Sequence, residues 1–148
     1  MAQIVFTDAH VAGPIARLVL GSVMLAHGLQ KALGWFGGKG FIETLDGFVL
    51  QGIPYALGVL VIAGETLGAV ALILGFVGRF MAAAQIIILA GAIYKVAGAH
   101  GFFMNWTGMK EGEGFEFHLL AIGLGLIVLV MGSGSLSIDR WLTRRYWG

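Results

Sequence analysis

The chain has 148 residues, of which 58% are hydrophobic and 11% charged, and its mean hydropathy is +0.90. Soluble domains contain roughly 45–50% apolar and about 25% charged residues, so this composition predicts a membrane protein. The net charge of +1 excludes the basic surface typical of nucleic-acid-binding proteins. The absence of cysteine excludes disulfides, thiolate-held iron–sulfur clusters and a thiol nucleophile.

Apolar runs of transmembrane length follow one another along the chain. A transmembrane helix needs about 20 mainly apolar residues. Runs of this kind lie at residues 11–33, 55–77, 80–99 and 115–132. They predict an all-α fold, a polytopic membrane four-helix bundle that forms a single domain over residues 1–148.

The positive charges predict the orientation of this bundle, because short cytoplasmic loops retain an excess of lysine and arginine. Arginines occupy the short turn after the second run and the C-terminal tail: Arg79, Arg140, Arg144 and Arg145. The stretches 34–54 and 101–114 carry lysines and acids in near balance, and we expect both outside the cell. Both termini are therefore predicted to be cytoplasmic. Aromatic residues of the tail suit an interfacial anchor: Trp141, Tyr146 and Trp147.

Ionisable side chains within the apolar runs predict a polar pocket, because such residues are costly in a bilayer and usually face the bundle interior. His27 and Lys31 are four residues apart and share one helix face. Glu65 lies about 15 Å below the outer end of the second helix, counted from Tyr55 at 1.5 Å per residue. We expect a pocket that opens outward, with Glu65 as its floor and His27 and Lys31 in its lining. The alternative is that Glu65 only neutralises Lys31 or Arg17 and holds the helices in register.

Other ionisable residues admit simpler interpretations. Arg17 and Arg79 are interpreted as inner-leaflet anchors, and three residues are expected to reach the interface: Lys95, Glu116 and His118. Two histidines on different helices, His27 with His100 or His118, form the pair to consider for haem. His27, Glu65, His100 and Glu116 offer nitrogen and oxygen ligands, but isolated histidines near an interface are more often hydrogen-bonded, and we assign no metal site.

The stretch 101–114 is too apolar for a fully solvated loop. It contains Phe102, Phe103, Met104 and Trp106. Burial of such side chains lowers the free energy by about 25 cal/mol per Å², so we expect the loop to fold over the mouth of the pocket. The first loop has the same character and would complete a joint lid above His27 and His100 with Trp35, Phe36 and Phe41. The alternative is interfacial anchoring alone.

Several motifs together resemble the DoxX family. The opening of that family resembles Arg17-Leu18 and the segments 27–31 and 34–38 of this chain. Its second helix and tight turn, its second outer loop and its closing motif are similar to residues 64–68, 74–79, 100–106, 112–116 and 132–139. The resemblance covers nearly the whole chain.

The resemblance implies a four-helix protein of the bacterial inner membrane that is associated with redox chemistry. Relatives are linked with thiosulfate- and quinone-dependent oxidoreductases, with quinone detoxification and oxidative stress, and with membrane complexes that recruit soluble partners. The family-like polar residues are Arg17, His27, Lys31, Glu65 and Arg79. Because the chain has no cysteine, electron transfer would need a bound quinone, a haem or a partner protein.

The functional hypothesis is an integral membrane subunit of a redox system, either a quinone-linked oxidoreductase or a detoxification complex. His27 and Lys31 would hydrogen-bond a quinone oxygen and deliver protons, with Glu65 as a relay. These three are the predicted catalytic residues, and the predicted cofactor-binding residues are His27, Lys31, His100 and Trp106. The expected partners are the lipid bilayer, a redox protein and a quinone or small sulfur compound, and homo-oligomerisation is left open. The alternative is a non-enzymatic anchor, or a protein that transports protons or a small solute.

Overall fold

The computed structural model describes residues 10–147, except for the side chain of Trp147. Over this range the protein is all-helical, as the sequence predicts. Its helices are α1 (Ala12–Leu33), α2 (Gly40–Leu50), α3 (Tyr55–Leu74), α4 (Gly78–Lys95), α5 (Glu116–Met131) and α6 (Ile138–Trp147). Short 3₁₀ turns lie at Trp35–Gly37 and Ala97–His100, and a π-helical turn, Gly64–Gly68, interrupts α3. The predicted location of the N-terminus concerns residues outside the described range.

The helix ends differ from the predicted ones where the backbone leaves helical geometry. The second helix ends at Leu74 rather than at residue 77, because Gly75 adopts a left-handed conformation with φ of 65°. Val77, with φ of 50°, then precedes α4, which begins two residues earlier than predicted. At its other end α4 stops at Lys95, and the chain continues as a 3₁₀ turn.

Helices α2 and α6 fall in segments for which no helix was predicted. The stretch 34–54 was predicted as a loop, but its middle forms α2, which packs on α1 and α3 and buries Leu45. The basic tail forms α6, which alternates buried Thr143 with exposed Trp141 and Arg144. Both helices are short and amphipathic, so neither shows the long apolar run that identified the others.

The four long helices pack as a closed ring. Helix α1 contacts α3 and α5. Helix α4 contacts α5 and, within α3, the π-helical turn and Ala69–Leu74. Neighbours in this ring run in opposite directions, because hydrogen bonds bring the starts of α1 and α4 together with the end of α3 and the segment after α5. The core contains both large and small side chains, among them Leu20, Met24, Ala69, Leu72, Ala82, Leu89, Ala121 and Val128.

The outer surface of the ring is apolar along its length. Large exposed hydrophobic side chains occur on all four helices: Ile15, Val19, Leu60, Leu67, Ile87, Leu120 and Val130. Within residues 10–147, two helices, α1 and α3, are long and apolar enough to span a membrane, and α5 is a shorter apolar helix of 16 residues. A lipid environment explains this surface better than water does, because monomeric soluble proteins rarely expose large contiguous apolar patches.

Arg17 is part of a buried network at one end of the ring, here called the Arg17 end. Its guanidinium donates hydrogen bonds to the carbonyl oxygens of Ile73, Ser133 (3.1 Å) and Leu136 (2.6 Å). Only 2% of Arg17 is exposed. The interpretation of Arg17 as an inner-leaflet anchor was therefore wrong: it joins the start of α1 to the end of α3 and to the segment after α5.

Asp139 completes this network. Its carboxylate accepts hydrogen bonds from the backbone N–H groups of Val77 (2.8 Å) and Gly78 (2.9 Å), at the start of α4. It also accepts one from the hydroxyl of Ser133 (2.7 Å). A carboxylate at a helix N-terminus satisfies N–H groups that lack helical partners and interacts favourably with the helix dipole. Asp139 therefore attaches α6 to the start of α4 at the Arg17 end of the ring.

Candidate functional site

Lys31 and Glu65 form an ion pair at the opposite end of the ring, here called the Lys31 end. The ammonium nitrogen of Lys31 lies 2.5 Å from Oε2 of Glu65, and the side chains are 26% and 7% exposed. The prediction that Glu65 meets Lys31 or Arg17 is confirmed, with Lys31 as the partner. The pairing removes the cost of an isolated charge inside the bundle.

The backbone around Glu65 explains why the two side chains meet. Glu65 lies in the π-helical turn of α3, a feature that is frequent at functional sites. Gly28 of α1 faces this turn, and a Cβ atom at Gly28 would overlap the backbone of Glu65. Helix α1 therefore approaches α3 closely at Gly28, three residues before Lys31. The sequence did not predict this contact.

The π-helical turn is held from α4 by a buried glutamine. Nε2 of Gln85 donates a hydrogen bond of 2.8 Å to the carbonyl oxygen of Gly64. Gln85 is fully buried, and no role was predicted for it. A polar residue in the middle of an apolar run was the available signal, because such a residue usually faces a partner inside the bundle.

A cavity of about 1130 Å³ opens between α3 and α4. Lys31 and Glu65 form one polar corner of it, together with His118 of α5. Its remaining walls are mainly apolar, with Phe48, Leu57, Leu60, Ile87, Ile88 and Tyr94 among the lining residues. The cavity is therefore amphipathic, as binding sites for small molecules usually are.

His118 is better placed for binding than the sequence indicated. It was expected to reach the interface, but it is partly buried and lines the cavity. Its Nδ1 atom is buried without a hydrogen-bond partner among the residues described. An unsatisfied buried polar atom is costly, so this nitrogen is suited to a polar group of a ligand.

His27 lies beside the polar corner rather than in the cavity lining. Its ring packs on Phe117, with 5.6 Å between the ring centroids. It lies close enough to His118 and Lys31 for electrostatic interaction. Because His27 does not line the cavity, the structure does not bring the pair considered for haem into this space. Residues 10–147 contain no group of three or more histidine, cysteine or carboxylate residues arranged to hold a metal ion.

His100 lines the outer part of the same cavity. Its imidazole lies against Gly112, where a Cβ atom would overlap the ring, so the 3₁₀ turn and the following loop pack closely. Glu111 and Glu113 are further lining residues on this side. The structure thus places Lys31, Glu65 and His100 on one cavity, at different heights.

Trp106 is not part of this cavity lining, and 81% of its surface is exposed. The other aromatic side chains expected in a lid are also exposed: Phe102, Phe103, Trp35, Phe36 and Phe41. The structure therefore does not bury these aromatic side chains under a lid, although Glu111, Gly112 and Glu113 of the second loop line the cavity. Interfacial anchoring of the aromatic side chains stays a prediction. Hydrogen bonds within the second loop hold its backbone without burial of Phe103 or Trp106.

The loop 101–114 is nevertheless well structured. Glu116 accepts a hydrogen bond from the N–H of Met104 (2.9 Å), and Glu113 accepts one from Asn105 (2.7 Å). The side chain of Asn105 makes two hydrogen bonds with the backbone of Lys110. Glu116, which was expected to reach the interface, instead closes this loop.

The arrangement can bind the polar head of an otherwise apolar molecule. Lys31 supplies N–H donors, His118 supplies a nitrogen that donates or accepts according to its tautomer, and Glu65 supplies acceptors. The ion pair is neutral overall, so the corner favours an uncharged polar group.

Of the comparisons with known proteins, the one with family models gives a match. The DoxX family model matches residues 14–106, a segment that includes all but the first two residues of α1, the helices α2 to α4, the ion pair and most of the residues that line the cavity. Comparison with curated proteins and with solved structures gives no match. Because the family model covers more than half of the chain, the protein belongs to the DoxX family.

Proposed function

We propose that this protein is the membrane subunit of a redox system and binds a quinone-like molecule by its headgroup at Lys31, Glu65 and His118. The observation that carries the proposal is the neutral polar corner at the side of a large apolar cavity. A quinone has the matching chemistry, because its carbonyl oxygens accept hydrogen bonds while its ring is uncharged and apolar. Membership of the DoxX family supports the membrane location.

The proposal includes four membrane crossings, by α1, α3, α4 and α5. Helix α4 has 18 residues and α5 has 16, which correspond to about 27 Å and 24 Å at 1.5 Å per residue. These lengths approach the ~30 Å thickness of the hydrocarbon core. In the bacterial inner membrane, the Arg17 end and both termini would face the cytoplasm, and the Lys31 end would face outward.

Each residue of the polar corner has a proposed role. Lys31 and His118 hold a carbonyl oxygen of the headgroup, and Glu65 orients Lys31 through the ion pair. Glu65 is the least exposed member of the ion pair, and its burial strengthens its electrostatic interaction with Lys31. A bound quinone supplies the two-electron chemistry that the side chains of this chain lack, and a partner protein would exchange the electrons.

Photolabelling with an azidoquinone tests the proposal. In lipid nanodiscs the label should attach to peptides of α3, α4 or α5, and an excess of decylubiquinone should suppress it. Lys31→Met and His118→Phe should each reduce labelling about tenfold, because each removes a polar partner of the headgroup. Lys39→Met is the matched control, since Lys39 is exposed and is not among the cavity-lining residues.

The outcomes separate the two hypotheses that the sequence left open. Labelling that decylubiquinone does not suppress, or that both variants retain, would contradict quinone binding. Proton flux through liposomes containing the protein but no quinone would favour the transport alternative.

A further inference from the structure

The gap between α3 and α4 widens toward the Lys31 end. Helix α4 packs against the π-helical turn and against Ala69–Leu74 of α3. The hydrogen bond from Gln85 to Gly64 ties the two helices at that height. Beyond it, Tyr55–Ala63 and the last turns of α4 contribute opposite walls of the cavity. The helices are therefore joined near the polar corner and separated above it.

This gap opens on the side of the bundle. Leu60, Ile87 and Tyr94 line the cavity and are also largely exposed on the outer surface. Side chains that do both form the rim of an opening. Since the surrounding surface is the apolar belt of the ring, the opening faces lipid.

Gly91 of α4 lies in the wall of the gap. It lines the cavity, and a Cβ atom added there would meet nothing within 4 Å. A glycine inside a helix costs about 1 kcal/mol relative to alanine, and no close helix contact explains this one. Its effect is to leave open space between α3 and α4.

The depth and charge of the polar corner decide between two occupants. Glu65 is ten residues along α3 from Tyr55, about 15 Å at 1.5 Å per residue. A phospholipid phosphate remains near the helix ends, and the neutral ion pair offers no net charge to draw it inward. An uncharged quinone ring can reach this depth because it carries no charge that must stay near the helix ends. With the ring at the polar corner, its hydrocarbon tail lies in the gap.

We infer that the quinone-like molecule enters sideways from the bilayer, that its hydrocarbon tail lies in the gap between Leu60 and Gly91, and that Gly91 keeps this gap open. The inference rests on the proposed function and adds to it that the ligand is a quinone with a hydrocarbon tail, together with the path by which it enters. The polar corner binds the quinone ring, and the gap between α3 and α4 binds the hydrocarbon tail.

The substitution Gly91→Leu tests the tail path. Duroquinone, which has no tail, and decylubiquinone are titrated separately, and the midpoint of the rise in unfolding temperature in detergent gives the apparent affinity of each. Gly91→Leu should weaken decylubiquinone binding at least tenfold and duroquinone binding less than threefold. Gly91→Ala, which favours the helix, should give a smaller effect of the same sign and covers the case in which the leucine variant fails to fold.

Gly123→Leu is the matched control. Gly123 also lies in a membrane helix with nothing within 4 Å of an added Cβ atom, but it does not line the cavity. Both affinities should equal those of the wild type in this variant. Equal loss of both quinones in Gly91→Leu, no loss of either, or the same tail-specific loss in Gly123→Leu would each overturn the tail path. Failure of wild-type protein to bind either quinone would instead refute the proposed function itself.

Discussion

Glu65 shows how one residue couples stability to the proposed binding site. Its carboxylate is 7% exposed and has the Lys31 ammonium as its ion-pair partner. The sequence could predict this ion pair because both residues interrupt apolar runs, and charged residues at such positions usually pair with one another. It could not select between Lys31 and Arg17, because that choice depends on which ends of α1 and α3 are adjacent.

The ion pair predicts a coupled effect on stability. Lys31→Gln and Glu65→Gln should each lower the free energy of unfolding, because each leaves a charged partner with little solvent. The double variant should lose less than the sum of the single losses, with a coupling of about 1–3 kcal/mol. Unfolding of the four proteins in detergent measures the coupling, and additive losses would contradict a functional pair.

Asp139 predicts a separate effect at the Arg17 end. Asp139→Asn replaces a carboxylate that accepts hydrogen bonds from Val77, Gly78 and Ser133. The amide keeps only one acceptor oxygen, so we expect a loss of about 1–3 kcal/mol. Asp46→Asn is the control, since Asp46 is exposed on α2. Equal unfolding temperatures for the two variants would refute the capping role.

Among the elements, the long apolar helices were predictable and the small irregular ones were not. Residues 11–33 and 115–132 were predicted within one residue of the observed α1 and α5. The π-helical turn has no signature in hydropathy, because one extra residue in a turn leaves the composition unchanged. Gln85, which holds this turn, was visible as a polar residue, but its partner is a backbone carbonyl that no pattern of side chains identifies.

Gln85→Leu tests the contribution of that turn. Leucine keeps much of the side-chain volume but leaves the Gly64 carbonyl without its donor from α4. The turn should then relax toward regular α-helix, which rotates Glu65 away from Lys31. We expect the coupling between Lys31 and Glu65, measured by the same double-mutant cycle in this background, to fall below about 0.5 kcal/mol. An unchanged coupling would show that the turn holds its shape without Gln85.

At the scale of the whole molecule, the exposed apolar surface of the ring determines how the protein can lie in a membrane. Helices α1 and α3 satisfy a length and hydropathy criterion for spanning, whereas α5 is shorter. Helix α4 carries Arg79 and Lys95 at its two ends, which lowers its mean hydropathy without placing a charge at its centre. Composition alone therefore leaves two or four crossings open.

Topology reporters distinguish these numbers of crossings. Alkaline phosphatase is active only outside the cytoplasm, so it can be inserted after Lys39, after Arg79, after Lys110 and after residue 148. Four crossings with cytoplasmic termini predict activity at Lys39 and Lys110 and none at the other two sites. The arginines of the short turn and of α6 favour this orientation, because cytoplasmic segments retain positive charge.

Lys110 is the decisive position among these insertions. If only α1 and α3 crossed, the chain after Arg79 would remain in the cytoplasm, and phosphatase at Lys110 would be inactive. Four crossings would place the loop 101–114 outside, where its ordered backbone would present the exposed Phe103, Trp106 and Met109 to the interface. Fluorescence of a green fluorescent protein fusion after residue 148 supplies the complementary signal, since this reporter folds in the cytoplasm. Active phosphatase at Lys110 together with a fluorescent C-terminal fusion would establish four crossings, and inactivity at Lys110 with the same fluorescence would leave α4 and α5 outside the bilayer.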